Sequence, residues 1–537
     1  MIAVSNGWVD AHKRTLLPEM FIEITYAATD PSLQEDAIIT ANDEAYFSDV
    51  STLANGVYKK PEKYGSAEQG FWGLDGTYTY TDGSPENPGY VSAAISDGNA
   101  AFTSTIPTIT ITFPTLRMEP IPGLTITWSP LYNEWATEYR ITAYNEDTII
   151  GQTTVTGNTA INSVAWLNMQ NFNKITIEIL GWSLPYHRAR CTDVFLGVQT
   201  VYTKEDLMGY DHSQSADLLS AALPKNEITF RLRNEDDRWN PDNPTGNEQY
   251  LLERQEINVR YGMEIDGEVE WIKGGTFWLS EWNTPANGLE ATFTARDALE
   301  FMHEEYTGTQ SGTLYDVALA AFEQADLPRL DTGEERYRID PILQEYETDF
   351  SGESSQSYTV AEILQMVSHA GNCVFWQDRD GIVRIEPWNT SYSGYNIDQH
   401  MSYAHPEYEL IKPLKAVSVG YGENQRVSVQ IADKGEVQTV DNVLLRTQAD
   451  ATRVAEKAAE ILQNRKTISG EFRADVRLDA LDPIFVTSKY ASNIIAITDI
   501  TYSTTGGAWK GTYTGRVVSL ALQTEKIYSG EIQAGEI

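Results

Sequence analysis

The chain has 537 residues, 41% of them hydrophobic and 22% charged, an ordinary globular composition that excludes general disorder. Its 39 basic and 77 acidic residues leave a formal charge of −38, which repels phosphate backbones and anionic lipid and so argues against nucleic-acid binding and membrane adhesion. The length predicts about three or four domains. The two cysteines, Cys191 and Cys373, belong to no CxxC or Cys/His cluster, which argues against zinc and favours two free buried thiols over one long-range disulfide.

The opening MIAVSNGWVDAHKR has no basic segment followed by an apolar run, so it does not read as a signal peptide, and synthesis in the cytoplasm is expected. No stretch reaches the roughly 18 apolar residues of a membrane span. FIEITY then alternates Ile22, Ile24 and Tyr26 against Glu23 and Thr25, as a half-buried antiparallel strand does. Residues 41–123 are rich in Gly, Ser, Thr, Asn and Tyr, and within them TITITF sets Ile109, Ile111 and Phe113 on one face. From Leu124 to Leu196 short strands follow one another (LTITWS, ATEYRITAY, TIIGQTTVTG, NKITIEIL, VFLGV), which predicts a β-sandwich. WSPLYNEWATEY puts Trp128, Tyr132 and Trp135 in or beside a loop of that sandwich, where aromatic faces can stack on sugars. Core packing is the favoured role for them and glycan contact the alternative. His187 in PYHRAR reads as a hydrogen-bonded structural histidine.

FRLRNEDDRWNPDNP, Phe230 to Pro244, gathers seven acidic or amide side chains around Trp239. As a calcium loop starting at Asn234 it places Arg238, Trp239 and Thr245 where a ligand, a Gly and a Glu are required, so a strand ending in an Asn/Asp/Pro turn is the better reading. Three helices follow. SGTLYDVALAAFEQADLP begins at Thr313 with Asp316 in its first turn, and SYTVAEILQMVSHAGN has a Thr359/Glu362 capping box and Gly371 as a left-handed end. Gln448 to Asn464 repeats Ala, Val, Ile and Leu at helical spacing. CVFWQDRDGIVRIEP reads as a hairpin turning at Asp380-Gly381 rather than a calcium loop. FRADVRLD is predicted as a strand with Arg473, Asp475, Arg477 and Asp479 facing solvent, and GGAWKG as a hairpin.

Catalytic signatures fail in turn. There is no Gly-x-Ser-x-Gly elbow, His303 in HEEYT lacks a second His because position 307 is Thr, and no two histidines lie within four residues of each other. A glycosidase pair hidden among the acids has no nameable member. The expectation is no enzyme: no catalytic residue, no cofactor and no metal.

The order of segments carries a resemblance. ALPKNEITFRLRNEDDRWNPDNPTGNEQYLLERQEINVRYGMEI looks like a pattern of phage tail proteins. TVAEILQMVSHAGNCVFWQDRDGIVRIEP resembles the helix and hairpin of the tail-hub or baseplate-hub family, and ISGEFRADVRLDALDPIFVTSKY to the Gly-Arg strand resembles its last barrel. The resemblance covers about Thr15 to Tyr26 and Val198 to the C-terminus. FWGLDGT, the sandwich and RARCTDVFLGV are similar to a galactose-binding-like jelly roll inserted in such hubs. It implies a mainly β fold with a few helices. Residues 1–35 and 197–305 would form a first hub β-barrel, 36–196 the inserted sandwich, 306–400 a small α+β domain, and 401–537 a second hub barrel with one helix. It further implies a homotrimeric ring at the distal end of a virion tail, with the tail tube above, a tip or spike below and DNA passing through without specific binding. A cell-surface or glycan-binding adhesion module, with host attachment through the sandwich, is the alternative, and a tail-associated hydrolase a third.

Overall fold

The computed structural model describes residues 1–14, 18–28, 33, 36–45, 48–54, 89–118, 120–235, 237, 239–240, 243, 251–284, 288–330, 334–352, 357–391, 394–422, 425–488, 491–505 and 508–518. The fold is mainly β with a few helices. FWGLDGT and the last residues, GEIQAGEI, lie outside the described residues.

FIEITY becomes the strand Met20–Ala28, with Ile22, Ile24 and Tyr26 buried. It pairs antiparallel with Val198–Thr203 on one side and Glu256–Ile265 on the other. The sheet continues through Glu268–Asn283, Glu290–Arg296, Lys225–Arg233 and Leu207–Ser215. There it crosses to the far end of the chain. Leu207–Ser215 pairs with Ser492–Thr505 from Tyr210 opposite Thr504 to Ser215 opposite Asp499. Ala508–Val517, Lys466–Phe472 and Glu407–Leu410 follow. The segments expected to build two barrels are thus hydrogen-bonded into one 13-stranded sheet. They also share one apolar core, to which Tyr210, Phe230, Tyr261 and Phe277 come from the first segment and Ile468, Phe472, Ile497 and Tyr502 from the last.

Ala28 and Val198 face each other in neighbouring strands, so the chain between them leaves and rejoins the sheet at one place. Within it a five-stranded sheet (order Ile38–Ala41, Thr108–Arg117, Phe172–Trp182, Ala136–Asn145, Thr148–Thr156) and a three-stranded sheet (Asp193–Phe195, Ile121–Thr127, Asn162–Met169) bury a separate core. Ile109, Ile111, Ile141 and Ile177 enter it from one sheet, Leu124, Ile126 and Ala165 from the other.

The three expected helices form at Leu314–Ala325, Val360–Ala370 and Gln448–Leu462. Thr313/Asp316 and Thr359/Glu362 both close full capping boxes, which satisfy N–H groups that the first helical turn leaves unpaired. Their apolar stripes share a core with the strand Leu414–Tyr421. Gly371 is not the left-handed end: it stays right-handed at φ −80°, and Asn372 takes the positive φ of 55°. Asn tolerates that conformation because its short polar side chain hydrogen-bonds locally. A fourth helix, Asn6–His12, was not expected; it is too short to show periodicity, but Ser5 caps it and Trp8 is fully buried. No helix of the described residues is long and apolar enough to cross a membrane.

FRADVRLD departs from expectation. The strand stops at Phe472, and residues 473–482 run as irregular backbone. Asp475 and Arg477, expected to face solvent, are buried with Ala474, Val476 and Leu478. The alternation breaks because both charges are internally paired: Arg477 Nε donates to Asp475 Oδ1 at 2.8 Å and Nη2 to Oδ2 at 2.5 Å. Burial alone would raise the Asp475 carboxyl, but these bonds and the charges of His12 and Arg477 hold it below its ordinary value.

A shared core predicts shared unfolding. Phe277→Ala in the first segment and Phe472→Ala in the last should each cost about 3–5 kcal/mol and lower the same calorimetric transition. Movement of two different transitions would mean independent cores.

Candidate functional site

Three places on the chain drew attention as sequence, and the structure treats each differently. The Phe230–Pro244 turn folds around its tryptophan. Asn234 is buried, its backbone N–H donates to Leu289 O, and its Oδ1 accepts from the backbone N–H of Trp239 at 2.9 Å. Asp237 takes a positive φ of 54°, and Trp239 packs edge-on against Phe293 with ring centroids 5.0 Å apart. Asn234 Oδ1 thus closes the turn and seats Trp239 in the core shared by the two ends of the chain, while Nδ2 is buried with no hydrogen-bond partner among the described residues. Arg238 and Thr245 lie outside the described residues. Among the described residues no group of three or more His, Cys, Asp or Glu is placed to hold a metal ion.

The sandwich aromatics separate. Trp128 is fully buried and stacks edge-on against Tyr139 and Trp182, at 5.1 and 6.0 Å. It offers no face to a ligand. Tyr132 and Trp135 are half-buried at the surface, with the Arg190 guanidinium 4.2 Å over the Tyr132 ring. Beneath them lies the fully buried Glu134. It accepts from Trp182 Nε1 at 2.6 Å, lies 3.0 Å from His187 Nδ1, and stands 3.8 Å from Arg190. A buried carboxylate needs such partners. His187 is therefore a hydrogen-bonded structural residue, as expected.

The third place was not singled out in the sequence. In the strand Leu207–Ser215 the inward positions are Tyr210, His212 and Gln214, so two of three inward residues are polar. The only sequence signal is their period of two opposite Asp211 and Ser213. His212 Nδ1 lies 2.8 Å from Tyr261 Oη and Nε2 lies 2.8 Å from Asn226 Oδ1. Gln214 donates to Asp479 Oδ1 at 3.0 Å and accepts from Ala480 N–H at 3.0 Å. Into this network the hairpin turn between Val374–Gln377 and Val383–Glu386 inserts Arg379. Its Nε donates to both Asp479 oxygens at 2.9 and 3.1 Å, Nη1 to Lys273 O at 2.9 Å, and Nη2 to Val476 O and Leu478 O at 2.6 and 3.1 Å. The Asp-x-Asp-Gly around Arg379 closes the turn on itself. Asp378 accepts from the Asp380 and Ile382 N–H groups and from Arg384, and Gly381 has φ +76° where a side chain would strain.

Cys191 and Cys373 are free and buried, and burial pushes both thiols up, Cys373 to about 12. Burial likewise holds the His212 imidazole down to about 4, so it is neutral at pH 7. Chemically the junction holds segments together through buried hydrogen bonds and one ion pair.

Arg379→Ala breaks a buried charge pair and removes the hydrogen bonds to Asp479 and to the Lys273, Val476 and Leu478 carbonyls, and should cost about 3–5 kcal/mol, read by thermal or urea unfolding. For His212 the folded pKa of about 4 lies below the ordinary 6.5, so the unfolded chain binds the proton first as pH falls. The stability it supports is whole above pH 6.5 and declines toward 4. His212→Gln should therefore show a smaller drop in Tm between pH 7.5 and 4.5 than the unaltered protein.

No protein-family model and no curated protein matches the chain. Among solved structures, the 43 kDa tail protein of prophage MuSo2 from Shewanella oneidensis is similar over 59% of this chain and 94% of its own, at 11% identity and a TM-score of 0.41. The tail protein from Neisseria meningitidis MC58 is similar over 60% of this chain and 94% of its own, at 12% identity and a TM-score of 0.41. Prophage tail protein gp18 from Listeria monocytogenes EGD-e is similar over 60% and 91%, at 10% identity and a TM-score of 0.36. All three are tail proteins, and each is what this chain is similar to over about three fifths of its length.

Proposed function

We propose that the protein is a non-enzymatic structural component of a phage or phage-like tail tip. Three copies form a hub ring that joins the tail tube to the tip or spike and lines the DNA exit channel. The observation that carries this reading is the single sheet and core built from the two ends of the chain, with the sandwich set between two paired strands of that sheet. A ring subunit must transmit load as one body, and a shared core provides that. An insertion whose ends are adjacent leaves the body intact. The division into residues 1–35 with 197–305, 36–196, 306–400 and 401–537 belongs to the same proposal, as does a galactose-binding-like identity for the sandwich. The charge of −38 suits a channel through which DNA passes without sticking.

A glycan-binding role for the sandwich is the second reading, favoured by the half-buried Tyr132 and Trp135, the Tyr132 ring lying against Arg190. The deciding experiment is immunogold labelling of purified particles, with native mass spectrometry of the purified protein alongside. Label at the distal tail end and a trimer are expected. Label elsewhere on the particle overturns the hub reading. Glycan-array binding by the full chain, lost in Tyr132→Ala and Trp135→Ala, would put attachment first.

A further inference from the structure

Next to the Arg379 junction lies a cavity of about 20 Å³, walled by Asp297, Trp376, Gln214, Asn226, Arg379 and Asp479. The space is partly open to solvent and has room for at least one water. Two of the wall residues have a buried polar atom with no partner among the described residues: Asp297 Oδ2 and Trp376 Nε1. The rest of each side chain is well placed. Asp297 is 3% exposed, and its Oδ1 accepts from Leu299 N–H at 3.1 Å where it caps the short helix Ala298–Phe301. The other carboxylates on the wall are already engaged, Asp479 by Arg379 and Gln214, and Asp378 by its own turn and Arg384.

From these two atoms we infer that the cavity is a binding site for one ordered water, which accepts from Trp376 Nε1–H and donates to Asp297 Oδ2. The pairing of an indole donor with a carboxylate selects the ligand. A metal or ammonium cation has no lone pair to offer the N–H. An anion has no proton for the carboxylate and is repelled by it. Water both accepts and donates, is neutral, and reaches the partly open pocket from solvent. Leaving either atom unpaired in the interior is unfavourable, which is the driving force for occupancy. Burial pushes the Asp297 carboxyl up to about 7, against which the Leu299 N–H and Arg296 act, with Glu300 and Glu227 adding to the rise. Water serves either form, donating to the carboxylate or accepting from the acid.

The bridge spans distant parts of the chain. Asp297 follows the strand Glu290–Arg296, Trp376 belongs to the hairpin, and the 479–480 stretch forms the remaining wall. The water is thus a clasp between the hairpin and the hub sheet. It is independent of the tail reading, because it rests on the chain's own polar atoms.

A crystal structure of the full chain at a resolution that shows ordered solvent tests it directly. A density peak within hydrogen-bond distance of both Asp297 Oδ2 and Trp376 Nε1 is expected. A dry cavity, or Trp376 donating straight to Asp297, overturns the inference. Hydrogen exchange gives a second readout. Trp376→Phe, which keeps the apolar ring, should raise local opening at Val374–Gln377 about fivefold, the size of one buried hydrogen bond. The same change in an Asp297→Leu background should add little. Equal effects in both backgrounds would mean that the two side chains are not bridged.

Discussion

The guanidinium of Arg379 is the point at which three separate stretches of the chain must agree. Its hydrogen bonds reach Lys273 in the first segment, and Val476, Leu478 and Asp479 in the last, from a hairpin that belongs to neither. A charge in the interior is tolerated only when its partners are complete. The docked hairpin therefore goes with an irregular 473–482 stretch, whose carbonyls turn inward to accept from Arg379. Gln214 and His212 extend the same demand into the strand Leu207–Ser215, which is the strand that joins the two ends of the chain. One buried cation thus couples the docking of the hairpin to the crossing of the sheet.

That crossing explains how the molecule carries an added module. The sheet and its core close without help from residues between Ala28 and Val198, since those two residues face each other across one ladder. The sandwich has its own core and its own buried charge, Glu134, satisfied by Trp182 and His187. Two bodies with separate cores can change independently in sequence, provided the strand pair that connects them is kept.

Polar residues on the inside are the recurring exception to the simple pattern. Alternation assigns an apolar side chain to the core and a polar one to water, which holds for Ile22, Ile24 and Tyr26 and for Ile109 and Ile111. It fails at His212, Gln214, Asp475 and Arg477, which are all buried. Each of these sits where strands from remote parts of the chain meet. At such seams backbone groups from irregular stretches need side-chain partners, and the rule that buried polar groups are hydrogen-bonded outranks the rule that the core is apolar.

Strands, helices and their ends were legible in the residues because their causes are local. Period-two alternation makes a half-buried strand, and Thr-x-x-acid closes a capping box, whatever lies beyond. The core role of Trp128 and the structural role of His187 were legible for the same reason, since size and polarity bias burial before any fold is chosen. What the tertiary structure alone decided is the pairing of residues far apart in sequence: Tyr210 with Thr504, Arg379 with Asp479, and Asn234 with Leu289. Those contacts depend on which segments meet, and a single chain's pattern does not encode its neighbours. The left-handed position one residue past Gly371, and the loss of the strand after Phe472, follow from the same cause: packing chose the backbone, and the local preference gave way.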